Sequence, residues 1–544
     1  MCFTRRAERS FGAERGRNPM SDHGIPTDNA EVVGDIYAAW AGATPDASAI
    51  TAASAYGGRR TLTYRELDEL SNVVASNLVR HGITRGQRVA FLTSNNAGIE
   101  GVLTYAGAHK AAAVALPING RLTPAEVVPL ARHAEISALV VEGAYLEHAR
   151  AVCEQLATPP VVFAACEQAT DGMVDFRRLL DSDGPVTAAD LPSVEPSDMA
   201  DWLFTSGTTA APKCVMLTHA NCVAAAHILS RFPGTRHEDI LLTPFPFFTS
   251  SGVHTSLFTS ATAGAHYVMS VNVEAEPLMR EIEEVGATIV GAVPSIFGYM
   301  AKSPAAAEVD LSCVRLAFHG GAPVSPHQVA QYQRLFPRAE IMNVFGQTES
   351  GNPGTTLPGK HALSKAGSIG RAGMPGVSTR VVDDEGTDIA FPGVGELLLR
   401  SKATMAGYFR NEEETARTLR DGWLHTGDLV RVDDEGFMWV HDRKKDIIIR
   451  GGHNIASIEV ENALSSHPAI HEAAVVSKPH PDLGEDLIAF VVADGEERPT
   501  IDELRAHCVP LIADFKIPRD IRYIDSLPRN PTGKVLKREL REHG

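Results

Sequence analysis

Residues 203 to 221, LFTSGTTAAPKCVMLTHAN, set five hydroxyl-bearing or glycine residues (Thr205, Ser206, Gly207, Thr208 and Thr209) between an apolar run and a single lysine, Lys213. Consecutive small residues free backbone N–H groups to curl around an anion, their hydroxyls add donors, and the lysine adds charge. The chemistry on offer is phosphate binding. No Gly-Lys-Ser/Thr follows at the Walker spacing, so this is not that loop. Read alone, the segment is equally a polar surface turn between strand and helix.

Four more segments follow in order: FGQTES (345 to 350), GWLHTGDL (422 to 429), DRKKDIIIRGGHNI (442 to 455) and PRNPTGKVLKREL (528 to 540). The five motifs, spread over about 330 residues, together resemble the adenylate-forming superfamily of acyl-CoA synthetases, peptide-synthetase adenylation domains and firefly-type luciferases. The resemblance runs from about residue 30 to the C-terminus. It implies that the loop from Thr205 to Lys213 holds the β- and γ-phosphates of ATP, and that Glu349 holds Mg²⁺ while Thr348 donates to the α-phosphate. A hard cation that prefers one or two carboxylates plus phosphates suits that casting. Phe345 is expected against the adenine, beside the loop His319, Gly320, Gly321, Ala322, Pro323, where missing side chains let backbone approach the base. Asp428 is expected to accept both ribose hydroxyls, with Arg443 as a second contact.

The resemblance gives Lys534, in PTGK, the key catalytic role, bridging the attacking carboxylate and the α-phosphate as negative charge gathers there. It also implies a small domain that rotates about Lys445, withdrawing Lys534 and bringing Gly451 and Gly452 to a pantetheine channel. The sequence departs from the family at three places. The phosphate loop reads Ala210-Ala211-Pro212-Lys213-Cys214 where glycines are usual, a change that costs about 1 kcal/mol or more wherever a positive φ is needed. Ala456-Ser457 replaces Tyr-Pro, with Ser457 expected to cap the next helix. Thr249 stands where relatives carry histidine, in FPFFTSSGVHTSL (245 to 257). Phe248, Thr249, Gly320 and Gly346 are the expected acyl-pocket wall. Between Thr243 and His266 there is no Asp or Glu, whereas a buried substrate ammonium needs a carboxylate, so an acid without an α-amino group is favoured.

The elements that must carry these groups read as α/β. RVAFLTSN, AGIEGVLTYAGAHKAAA and AVALPIN follow as strand, helix, strand. Further apolar strands at 136 to 143, 287 to 295, 314 to 323 and 340 to 350 end in glycine or small polar residues, where α/β folds place ligands. After residue 370 short β-runs turn twice over Asp-Asp-Glu-Gly, at 383 to 386 and 433 to 436, and read as two hairpins. The C-terminal segment alternates helix, strand, strand, helix, its second helix opened by a Thr500-x-x-Glu503 capping box. The organisation expected is a disordered N-terminal extension (1–25), within which Met20 is an alternative start of translation, an N-terminal AMP-binding domain (26–441) of α/β subdomains plus a small β-barrel-like one, a hinge (442–446), and a small mobile α+β C-terminal domain (447–544).

Bulk numbers fit an enzyme of this kind. Hydrophobic residues make up 44% and charged residues 22%. With Lys+Arg 50 against Asp+Glu 67, the net charge of -17 argues against nucleic acid as a main partner. Seven scattered cysteines suggest neither disulfides nor a zinc site and fit a reducing cytoplasm. No stretch reaches the ~18 apolar residues of a membrane span. The activity expected is ATP- and Mg²⁺-dependent formation of an acyl-adenylate, then transfer to coenzyme A. The alternatives are transfer to a carrier protein in trans, a non-catalytic nucleotide-binding homologue, or a luciferase-like oxygenase.

Overall fold

The computed structural model describes residues 25–167, 172–205, 213–443, 446–451, 453–495, 498–529 and 535–543. Two eight-stranded sheets form most of the N-terminal part. In the first, strands Glu340–Phe345, Leu316–Gly320, Ile289–Ala292, Ile240–Thr243, His266–Met269 and Ser48–Ala53 run side by side in parallel, with antiparallel strands closing both edges. In the second, Met199–Thr205 lies between the parallel strand Val114–Pro117 and the antiparallel strand Lys213–Thr218, and Gly407–Tyr408 pairs onto the latter from a distant part of the chain.

Helix Gly98–Lys110 is buried at every position, as expected of a helix covered on all sides. It packs on the strands Ser48–Ala53 and Arg88–Leu92, which belong to different sheets, so it fixes one sheet against the other. Its two charged residues, Glu100 and Lys110, are both paired. Glu100 accepts from the Ser54 hydroxyl at 2.7 Å and the Ala55 amide at 2.9 Å, and Lys110 donates to Asp68 at 2.6 Å and Asn72 at 2.8 Å.

The barrel-like subdomain is a sheet of strands Ser378–Val382, Gly393–Arg400, Trp423–Val432 and Leu419–Arg420, with Met438–Arg443 added to the third. Of the two expected hairpins the second forms, Trp423–Val432 pairing with Met438–Arg443. The first forms as a short one: the Asp383 amide donates to the Thr387 carbonyl at 2.9 Å and the Ile389 amide to the Val381 carbonyl at 3.0 Å, on either side of an antiparallel bridge between Val382 and Asp388. Along its whole length Ser378–Val382 also pairs antiparallel with Gly393–Arg400, so the short hairpin sits on its other edge.

The C-terminal sheet holds Ile470–His480 against Gly484–Ala493, with Asp520–Tyr523 parallel to the latter. Thr500 and Glu503 form the capping box as expected, at 2.8 and 3.2 Å. Ser457 does not cap its helix. Ala456 takes the cap position, and the Ser457 hydroxyl donates at 2.7 Å to Asp442 on the barrel's last strand, as does its amide. A buried carboxylate outcompetes a serine oxygen for these N-terminal donors.

Candidate active site

Several loops leave the carboxyl ends of the parallel strands toward one place. Strand Leu316–Gly320 gives the 319–323 loop, strand Glu340–Phe345 gives Gly346 to Asn352, and strand Ile240–Thr243 leads to Phe248 and Thr249. Close packing holds them. A Cβ on Gly320 would meet the Val344 carbonyl oxygen at 2.5 Å, and one on Gly346 would meet that of Asn352 at 1.8 Å. Gly321, at φ +87, faces open space, and Ala322 and Pro323 are exposed beside it. Phe345 is half-buried and packs on the barrel core.

At the barrel end Asp428 is 4% exposed and faces Arg443 across the ladder of its hairpin. Its Oδ1 meets Arg443 Nε at 3.2 Å, and its Oδ2 accepts from Gln347 Nε2 at 2.6 Å. Gln347 thus ties the Asp428 carboxylate to the loop bearing Thr348 and Glu349. It belongs to the motif FGQTES, yet its link to Asp428 crosses 81 positions and was invisible to local reading.

Glu349 sits in the 3₁₀ turn Thr348–Ser350. Its Oε1 accepts from the Tyr408 hydroxyl at 3.0 Å. Burial, with Glu349 beside it, holds the Tyr408 phenol well above its ordinary range; it stays a neutral donor. Lys213 lies on the far side of Tyr408, its Nζ 5.0 Å from the ring centroid, and is ion-paired with Glu414. Thr205 pairs with Lys213 across the two strands, and its hydroxyl reaches the Lys213 carbonyl at 3.5 Å. Cys214 is buried in extended strand opposite Phe204; it needs no left-handed backbone, so that departure from glycine carries no strain.

The Thr348 hydroxyl lies 3.2 Å from Ser250, which donates to Asn352 Oδ1 at 3.1 Å, and Asn352 Nδ2 donates to Thr255. Asn352 adopts φ +85, a conformation asparagine tolerates better than most residues. Thr249 is used structurally: its hydroxyl donates to the Pro246 carbonyl at 2.7 Å and accepts from the Gly252 amide at 3.1 Å. The segment continues as a π-helix, Ser251–Phe258, a geometry frequent at functional sites. His254 on it donates Nε2–H to Asp201, at 2.8 Å. Asp201 is wholly buried and also bonded to His109 at 2.8 Å and Tyr105 at 2.7 Å. These donors hold its carboxyl far below the usual range despite burial. An aspartate inside the apolar run MADWLFT was the one sequence sign of this hub.

Ser206, Gly207, Thr208, Thr209, Lys445, Gly452 and Lys534 lie outside the described residues. Gly451 has φ +57, and a Cβ there would approach Leu483 to 3.3 Å. Near Lys534, Lys537 is no solvated tail cation: it pairs with Glu461 at 2.8 Å.

Comparison with known proteins identifies the family. The family model described as AMP-binding enzyme matches residues 37–409, and that of the AMP-binding enzyme C-terminal domain matches 459–534. The chain is 33% identical, over 89% of its length and 92% of the relative's, to the fatty acid–acyl-carrier-protein ligase ScoC of Streptomyces coeruleorubidus. It is 34% identical, over 88% of its length and 93% of the relative's, to the long-chain-fatty-acid–CoA ligase FadD13 of Mycobacterium tuberculosis. Among solved structures, a Mycobacterium tuberculosis fatty acyl CoA synthetase superposes with a TM-score of 0.73 at 31% identity, covering 94% of this chain and 98% of that one. The amide bond synthetase McbA from Marinactinospora thermotolerans gives 0.81 at 29%, covering 91% and 96%. The chain belongs to the AMP-binding enzyme family.

Proposed function

We propose that the protein is an AMP-forming acid–thiol ligase that makes acyl-CoA. A carboxylate oxygen attacks the α-phosphorus of ATP, the bond to the bridging oxygen breaks, and pyrophosphate leaves. The thiolate of coenzyme A then attacks the acyl carbonyl of the mixed anhydride, and AMP leaves. The observation that carries this reading is the joining of Asp428, Arg443 and Gln347 to the loop of Thr348 and Glu349.

Each residue has a task. Asp428 accepts from the ribose hydroxyls while Arg443 and Gln347 hold its carboxylate in place. Thr348, held beside Ser250, donates to the α-phosphate; Lys213 and the 205–209 hydroxyls and amides take the β- and γ-phosphates. The exposed backbone of Gly320 to Pro323 and the face of Phe345 receive the adenine. The free oxygen of Glu349 fits a hard cation, and Mg²⁺ bound there would neutralise charge on the phosphate oxygens. Lys534 bridges the attacking and α-phosphate oxygens in the first half-reaction, and rotation about Lys445 replaces it with the glycine-lined thiol path of Gly451 and Gly452. Hydroxyl and amide groups near Thr348, with no carboxylate from Thr243 to His266, favour an acid without an α-amino group, bounded by Phe248, Gly320 and Gly346. The described residues contain no helix long and apolar enough to cross a membrane; we place the enzyme in the cytoplasm because its described cysteines are unpaired thiols.

Acid-dependent ATP–pyrophosphate exchange tests the first half. Exchange with at least one fatty or aryl acid is expected, falling more than a hundredfold in Lys534→Ala. Silence across short, medium, long and aryl acids would reject the proposal. The ligase similar at 33% that is named for a carrier protein supports a second reading, acyl transfer to a phosphopantetheine arm. Thioester yield with CoA against a holo-carrier protein decides between acceptors.

A further inference from the structure

Lys213 meets two groups from one short segment. Strand Gly407–Tyr408 pairs antiparallel with Lys213–Thr218, Tyr408 opposite Val215, which lays the Tyr408 ring along the lysine stem. Helix Glu412–Thr418 follows, its first turn capped by Asn411, whose Oδ1 accepts the Glu414 amide at 3.1 Å. That cap sets the direction of Glu414, and its carboxylate closes on Lys213 Nζ. The side chains are only 16% and 26% exposed, so the pair is screened less than an open surface pair. Glu412 and Glu413 share the same helical turn and add to the local negative field.

A triphosphate arriving here meets a lysine whose charge is already matched. If Glu414 stayed in place, its carboxylate would stand against the phosphate oxygens, a like-charge contact. A second partner is near: Arg417 Nη1 lies 3.6 Å from Glu414 Oε2, on a side chain that is 68% exposed and also paired with Glu413. One turn of helix separates the residues, so a change of rotamer transfers the carboxylate from Lys213 to Arg417 without moving the backbone.

We propose that Glu414 is a positioning residue that sets ATP affinity: it neutralises and orients Lys213 while the nucleotide is absent, and passes to Arg417 when phosphate takes the lysine. The proposal rests on the reading of Lys213 as a phosphate ligand. Because the contact is lost equally in the ATP complex and in the transition state, it acts on binding and not on the chemical step.

Steady-state kinetics in the full-length enzyme, by pyrophosphate release with an accepted acid, test it. Glu414→Gln keeps the shape and removes the charge; KM for ATP is expected to fall by about three- to tenfold, with kcat and KM for the acid within about twofold of wild type. An unchanged or raised KM for ATP would overturn the proposal. Arg417→Ala is expected to raise KM for ATP about twofold in the wild-type background and to have no effect in Glu414→Gln, the non-additivity of a shared contact; an equal effect in both backgrounds would also overturn it. Lys213→Ala separates the layers. If it leaves KM for ATP unchanged, the phosphate-ligand reading itself fails; if it raises KM while Glu414→Gln does nothing, only the role of Glu414 falls.

Discussion

The two ends of the proposed nucleotide site are built on opposite terms. At the ribose end Asp428 is buried and already held by Arg443 and Gln347, so its acceptor geometry exists before any ligand arrives. At the phosphate end Lys213 is held by an anion, Glu414, and must change partners. Under the proposed function, preorganisation at one end would let binding begin there, while exchange at the other would make the triphosphate compete for its cation. Tyr408 spans part of the distance between the regimes, with its ring on Lys213 and its hydroxyl on Glu349.

The largest effect should come from breaking the preorganised end. Asp428→Asn removes the charge that Arg443 and Gln347 are arranged around, and we expect ATP–pyrophosphate exchange to drop about a hundredfold, the ~3 kcal/mol of a lost charge-assisted contact; a change under threefold would erase the distinction between the ends. Tyr408→Phe removes the hydrogen bond to Glu349 but keeps the ring on Lys213. Its predicted signature is a five- to tenfold rise in the Mg²⁺ concentration for half-maximal exchange, about 1 kcal/mol, with KM for ATP at saturating Mg²⁺ nearly unchanged. Asn352→Ala cuts the link between Thr255 and Ser250, and should raise KM for the acid about threefold while sparing KM for ATP; the reverse pattern would place this relay on the nucleotide side.

A smaller effect concerns stability. Burial pushes His219 down to about 3 and His266 and His319 down to about 4. Each therefore binds a proton less readily when folded than when unfolded. Their contribution is complete above the ordinary histidine value of ~6.5 and is lost as pH falls toward 4, with a slope approaching about 1.4 kcal/mol per pH unit for each group. Urea midpoints measured from pH 7 to 5 should fall, and His319→Asn, whose side chain does not titrate, should flatten the decline.

Legibility in the sequence followed locality. Glu349, Asp428 and Arg443 drew attention because each sits inside a short motif, and the parallel strands announced themselves by apolar runs ending in small residues. Glu414 was not, since 201 positions separate it from Lys213 and a glutamate in a run of three reads as a solvated helix start. Tyr408 likewise depends on a strand pairing made across the chain. The expectation that changed did so for the same reason: Ser457 lost its capping role to Asp442, a competitor that only the fold supplies. Ala210 and Lys534 lie in segments the structure does not describe, so their roles remain with the kinetic tests.

The fastening of Ser457 to Asp442 has a kinetic meaning. Under the proposed pivot at Lys445, these partners stand on opposite sides of the axis, and turning the small lobe strips two donors from a carboxylate that is 1% exposed. Each round of catalysis would then unlatch and relatch the lobe, giving turnover a ceiling that neither more acid nor more nucleotide can lift.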